Sequence, residues 1–196
     1  MPPPQIMPQQ GRADLPGHPP IDNAWLAKDP DARLDVFLVV YPPLPGNSDP
    51  RSLHWSISWE VKHKAWRIIH LEMVNDYRAP PPQPRYVYWG PQTKMAGLAT
   101  TNAKRVLIRA MSLQTRQYIE EISKTVPVMA PNGQWNCQHW TMALIGELLQ
   151  KNIIDQRTWD RVLAEAHHAI RCVAPHSRHA ADQLHEIFDV PHVLYK

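Results

Sequence analysis

The sequence predicts an α+β fold, with an antiparallel sheet in its first half packed on helices from its second. Three observations carry that expectation. Segment 52–61, "SLHWSISWEV", alternates strictly, with Trp55, Ile57, Trp59 and Val61 on one side and His54, Ser56, Ser58 and Glu60 on the other. A polar turn, "VKHK", then leads into "AWRIIHLEMV" at 65–74, a natural hairpin partner. Beyond residue 112 the apolar spacing changes from two to between three and four.

The elements follow in order. "LDVFLVVY" (34–41) reads as a buried strand, stopped by the turn residues of "PPLPGNSDP". The hairpin comes next. "RAPPPQPR" (78–85) is expected as an extended surface crossing outside any ladder, because proline lacks the N–H that a ladder needs. "YVYWG" and "KRVLIRAM" (104–111) read as further strands. "SLQTRQYIEEISKTV" (112–126) is helical, with Ser112 as cap and Leu113, Tyr118, Ile119, Ile122 and Val126 on one face. A second helix runs from Cys137 to Gln150, a third over 155–173 behind Asp155, and a short helix with a tail is expected over 174–196. The domain reading is a proline-rich, partly disordered arm (1–33), a catalytic domain (34–173) and the C-terminal helix and tail. The arm is too poor in apolar side chains to offset its own ordering, and is expected to be mobile or draped on the surface.

Composition narrows the classes of function. A formal net charge of +3 with scattered positives gives no nucleic-acid footprint. Two cysteines cannot build a disulfide framework and favour a reducing compartment. No apolar run has the length of a signal core or a membrane span, so a soluble, cytoplasmic protein without an integral membrane segment is expected.

The chemistry-bearing stretch is "GQWNCQHW" (133–140). Asn136 is a favoured N-cap residue, which places Cys137 in the first turn of a helix. Unpaired N–H groups and the positive end of the dipole there favour a thiolate, and the same groups can hold an oxyanion. A buried cysteine acting as a small hydrophobe is the plain alternative. A nucleophile also needs a base and a group to orient it. His54 and His70, on neighbouring strands, can meet across the sheet; equally, His54 reads as a surface residue and His70 as a packed one.

"LHWSI" on one strand, "IIHLEM" on the next and "NCQHW" opening a helix, in that order, resemble the lecithin–retinol acyltransferase family. The H-Ras-like suppressor phospholipase/acyltransferases belong to it, within the NlpC-type superfamily. The resemblance covers about residues 34–150. It implies a circularly permuted papain-like fold, with Cys137 as nucleophile, His54 as base and His70 as the second histidine. Gln138 replaces the family's glutamate and Trp140 its phenylalanine, and the hairpin between the histidines differs in length, so retinoid or phospholipid specificity does not carry over.

The expected activity is acyl transfer or hydrolysis through an acyl-thioester on Cys137, with Asn136 and the Cys137 N–H at the oxyanion position. Trp55, Trp135 and Trp140 are the candidate substrate-binding residues, and a small-molecule, lipid or peptide acyl group is the substrate class. No cofactor is expected. A metal site is disfavoured because Cys137 and His139 point about 200° apart around a helix; His139 reads as structural. The histidines at 167, 168, 176, 179 and 185 match no metal or catalytic motif. The competing function is a catalytically idle binding or scaffold module on the same fold.

Overall fold

The computed structural model describes residues 5–15, 19–43, 49, 51, 53–76 and 81–173, with side chains through residue 168. The expected helix at 174–196, with His176, His179 and His185, lies outside the described residues, as does the Cys172 side chain.

The chain is α+β. Among the described residues there are seven strands: β1 (Leu34–Val40), β2 (Trp55–Lys62), β3 (Ala65–Ile69), β4 (Glu72–Asp76), β5 (Gln83–Val87), β6 (Gln92–Met95) and β7 (Lys104–Met111). The α-helices among the described residues are α1 (Leu98–Asn102), α2 (Leu113–Ser123), α3 (Cys137–Gln150) and α4 (Gln156–Val173). The main sheet is antiparallel in the order β6-β3-β2-β1-β7, and β4 and β5 form a separate ribbon.

The β2–β3 hairpin forms because its turn, at His63 and Lys64, can take the required backbone: Lys64 has φ +61° and its N–H donates to Glu60 Oε1 at 2.8 Å. Trp55, Ile57 and Trp59 are wholly buried in a core shared with Trp140, Leu144 and Leu148 of α3 and Ile119 and Ile122 of α2. Each such aromatic side chain withdraws about 150–250 Å² from water. The opposite side of β2 departs from the expected polar, half-buried face, because Ser56 and Ser58 are also buried. Their hydroxyls bond each other at 2.8 Å, and Ser56 donates to the Tyr41 hydroxyl at 3.3 Å, so the polar pattern is satisfied internally.

Residues 83–85 correct the expectation that this segment stays out of a ladder. They begin β5, where Pro84 stands opposite Asn75 in a two-stranded ribbon. An edge position tolerates the missing N–H.

Two features bind distant segments to this frame. Arg116 of α2 is wholly buried, and donates to Asp29 through Nε (3.1 Å) and Nη2 (2.6 Å) and to the Ala32 and Met111 carbonyls at 2.7 Å each. The N-terminal segment is pinned to the surface by backbone bonds: Met7 N–H to Val128 O and Ala130 N–H to Gln5 O at 2.7 Å, and Tyr88 N–H to Gln10 O at 2.9 Å. Gly11 makes this path possible. Its φ is +80°, and a Cβ there would stand 2.1 Å from Tyr86 O.

Candidate active site

Cys137 opens α3, and the helix start is specified by its own residues. Asn136 Oδ1 accepts from the N–H groups of Gln138 (3.0 Å) and His139 (3.3 Å), while His139 Nδ1 accepts from Asn136 N–H at 3.3 Å. That reciprocal arrangement is a capping box with histidine in the third position. His139 is thus structural. The first turn contains no acidic side chain, so nothing on α3 neutralises the positive end of its dipole there.

The helix start is then clamped to the entry of β2. Asn136 Nδ2 donates to Arg51 O at 2.8 Å, Gln138 Nε2 donates to Leu53 O at 2.9 Å, and an Arg51 Nη2 donates to Gly133 O at 2.9 Å. Cys137 is 8% exposed, and its thiol lies 3.8 Å from Leu53 O. Burial pushes its pKa up, while the backbone N–H groups of Trp55, Cys137 and Gln138 oppose that shift by favouring the thiolate. The expected thiolate at a helix N-terminus is therefore a neutral thiol at rest: dehydration outweighs the donors. Leu53 and Trp55, which meet the sulfur, are the two neighbours of His54 in the chain.

His54 continues the β1–β2 ladder, its carbonyl accepting from Tyr41 N–H at 2.9 Å. Its Nε2 stands 2.9 Å from Nδ1 of His70, and the two rings meet edge-on with centroids 5.0 Å apart. The sheet thus brings the two candidate histidines together. Both titrate far below the ordinary range, at about 3. For His54 the causes are burial, then the charge of His70; for His70 they are burial, then the charge of Lys94. At neutral pH the pair is uncharged, and one ring donates to the other. In the resting geometry the hydrogen-bond contact of the sulfur is Leu53 O, and that of His54 is His70.

Beyond His70 stand residues the sequence did not single out. Glu72 Oε1 lies 3.7 Å from His70 Nε2 and 2.9 Å from Lys94 Nζ. Gln92, on the neighbouring strand β6 and 3% exposed, lies opposite Ile68, two residues before His70. Near the sulfur is Tyr86, whose pKa is raised by burial and then by its electrostatic interaction with Cys137; its ring packs edge-on against Trp135 at 5.3 Å. None of these carries a local motif. They are assembled by strand pairing.

The tryptophan expectation divides. Trp55 and Trp140 have no exposed surface: Trp55 packs in the core near His167, and Trp140 donates to Val126 O at 3.2 Å. They are core residues. Trp135 is half-buried beside Tyr86 and retains a surface at the site. A cavity of about 510 Å³, lined by Arg33, Arg109, Ser112 and Tyr118 among others, contains none of the candidate catalytic residues.

Among the described residues, no group of three or more histidine, cysteine or acidic side chains is arranged to hold a metal ion, and no helix is long and apolar enough to cross a membrane. Comparison with protein-family models, curated proteins and solved structures finds no match for the chain.

Proposed function

We propose that this chain is a cysteine-dependent acyl-transfer enzyme, a hydrolase or acyltransferase, built on a circularly permuted papain-like fold of the lecithin–retinol acyltransferase type. The reading rests on the His54–His70 contact of 2.9 Å and on a cysteine that opens a capped helix, its sulfur against the backbone of Leu53 and Trp55 on either side of His54. His54 Nε2 is committed to His70, which leaves Nδ1 as the nitrogen that receives the thiol proton. A neutral thiol and neutral imidazoles call for general-base catalysis, with the proton leaving sulfur as the sulfur attacks. The S–H bond breaks as N–H forms on His54, and a C–S bond forms at the acyl carbon. The charge gathering on the carbonyl oxygen is met by the backbone N–H of Cys137. His54 then protonates the leaving group, and water or a second acceptor removes the acyl group from sulfur. Tyr86 and Trp135 offer an aromatic wall for an ester, thioester or amide substrate.

The test is incubation with a panel of acyl-thioesters, phospholipids and peptide amides, followed by intact mass. The expected product is an acyl adduct that Cys137→Ala abolishes; persistence of the adduct in that variant refutes the assignment.

One observation favours a second reading, a catalytically idle binding module. The thiol is buried and its proton faces Leu53 O, an arrangement that also suits an inert core cysteine. Absence of any adduct across the panel, with substrate-class ligands still bound, is the outcome that selects it.

A further inference from the structure

His70 Nε2 and Gln92 Oε1 are both buried, and neither has a hydrogen-bond partner within ordinary distance and angle. Such atoms are rare and costly in a native interior. They are also neighbours. Gln92 stands opposite Ile68 in the β3–β6 register, so its side chain emerges on the same side of the sheet as that of His70. With His70 Nδ1 occupied by His54, Nε2 is the nitrogen left to face Gln92 and the Glu72 carboxylate 3.7 Å away.

A lone pair on His70 Nε2 pointing at a carboxylate is repelled, whereas an N–H there is attracted. We propose that Gln92 and Glu72 are positioning residues that hold the His70 proton on Nε2 and so give the two-imidazole chain one direction. His70 Nδ1 is then an acceptor, and His54 must donate to it through Nε2–H. The lone pair of His54 is thereby confined to Nδ1. Lys94, bonded to Glu72 at 2.9 Å, fixes the carboxylate in place, and its positive charge keeps His70 from taking a second proton. Gln92 acts in the opposite sense, favouring the protonated imidazole, as an acceptor facing N–H does. This tautomer assignment concerns the resting protein; only its consequence, that His54 Nδ1 receives the thiol proton, rests on the acyl-transfer reading.

Histidine ¹⁵N shifts and two-bond ¹H–¹⁵N couplings at pH 7.5 read the tautomers without any substrate, with signals assigned through His54→Gln and His70→Gln. The expected result is the Nε2–H form for both rings in the wild-type chain and in Cys137→Ala. In Gln92→Leu/Glu72→Gln, His70 should shift to a mixture containing Nδ1–H, whereas Gln92→Glu should retain the Nε2–H form. An Nδ1–H tautomer of His70 in the wild-type chain overturns the proposal, as does an unchanged Nε2–H form in the folded double variant. A chain that forms no acyl adduct can still give the expected shifts, so the failure of one idea is distinguishable from the failure of the other.

Discussion

His54 Nε2 and His70 Nδ1 lie 2.9 Å apart, although sixteen positions separate the residues and the two belong to different arms of a hairpin. The contact exists because β2 and β3 pair with Ile57 opposite Ile69, which puts the two imidazoles within a diagonal step of each other. A pair this close, shielded from water and beside Lys94, stays neutral well into the acid range. That sets a pH dependence.

Both folded-state pKa values are near 3, against an ordinary 6.5 in the unfolded chain. Below 6.5 the unfolded chain takes up protons that the folded chain refuses. Stability is therefore fully present above about pH 6.5 and falls progressively toward pH 3. Thermal melts across this range should show Tm falling with acid. His54→Gln/His70→Gln should flatten that slope; an unchanged slope contradicts the assignment.

Cys137 should behave as a protected thiol when no substrate is bound. Dehydration raises its pKa above that of free cysteine. Iodoacetamide should therefore alkylate it more slowly than a model thiol at pH 7.5, with the rate still climbing above pH 9. An apparent pKa below that of free cysteine would show that the N–H donors outweigh burial.

Asn136→Ala removes the acceptor of two N–H groups and the anchor to Arg51 O. The cost should be about 1–2 kcal/mol by urea denaturation. His139→Ala takes away only the reciprocal half of the box and should cost less.

Arg116→Leu takes the guanidinium from Asp29, which keeps the Trp59 Nε1–H, and from the Pro30, Ala32 and Met111 carbonyls. A loss of about 3–5 kcal/mol is expected, seen as a lower urea midpoint. A loss under 1 kcal/mol would mean that the 29–32 segment contributes little to the fold.

The sequence discloses those parts of this structure whose cause is local. Strict alternation at 52–61 locates β2, and Asn136 ahead of an apolar helical run locates the start of α3. Burial of Ser56 and Ser58 is not visible in the same way. Alternation tells which side chains are apolar, whereas covering the second face depends on Tyr41 and on Thr100 in α1, elements remote in the chain. Strand β6 is four residues of mostly polar text, so Gln92 has no local signal and enters the site only through the β3–β6 register. Arg116 looks like any helix-surface arginine until Asp29, 87 positions earlier, folds against it. The proline in β5 misleads for a different reason: a ribbon edge does not demand the N–H that an inner strand would.

The most direct test of the catalytic claim is the rate at which Cys137 gains an acyl group from a thioester donor, followed by intact mass in the wild-type chain and in His54→Gln. A base that takes the thiol proton as sulfur attacks is worth about 10²–10⁴ in rate. The account predicts a loss of that size in the variant, with the Cys137 adduct intact in the wild-type chain. Equal rates in the two folded proteins would contradict it.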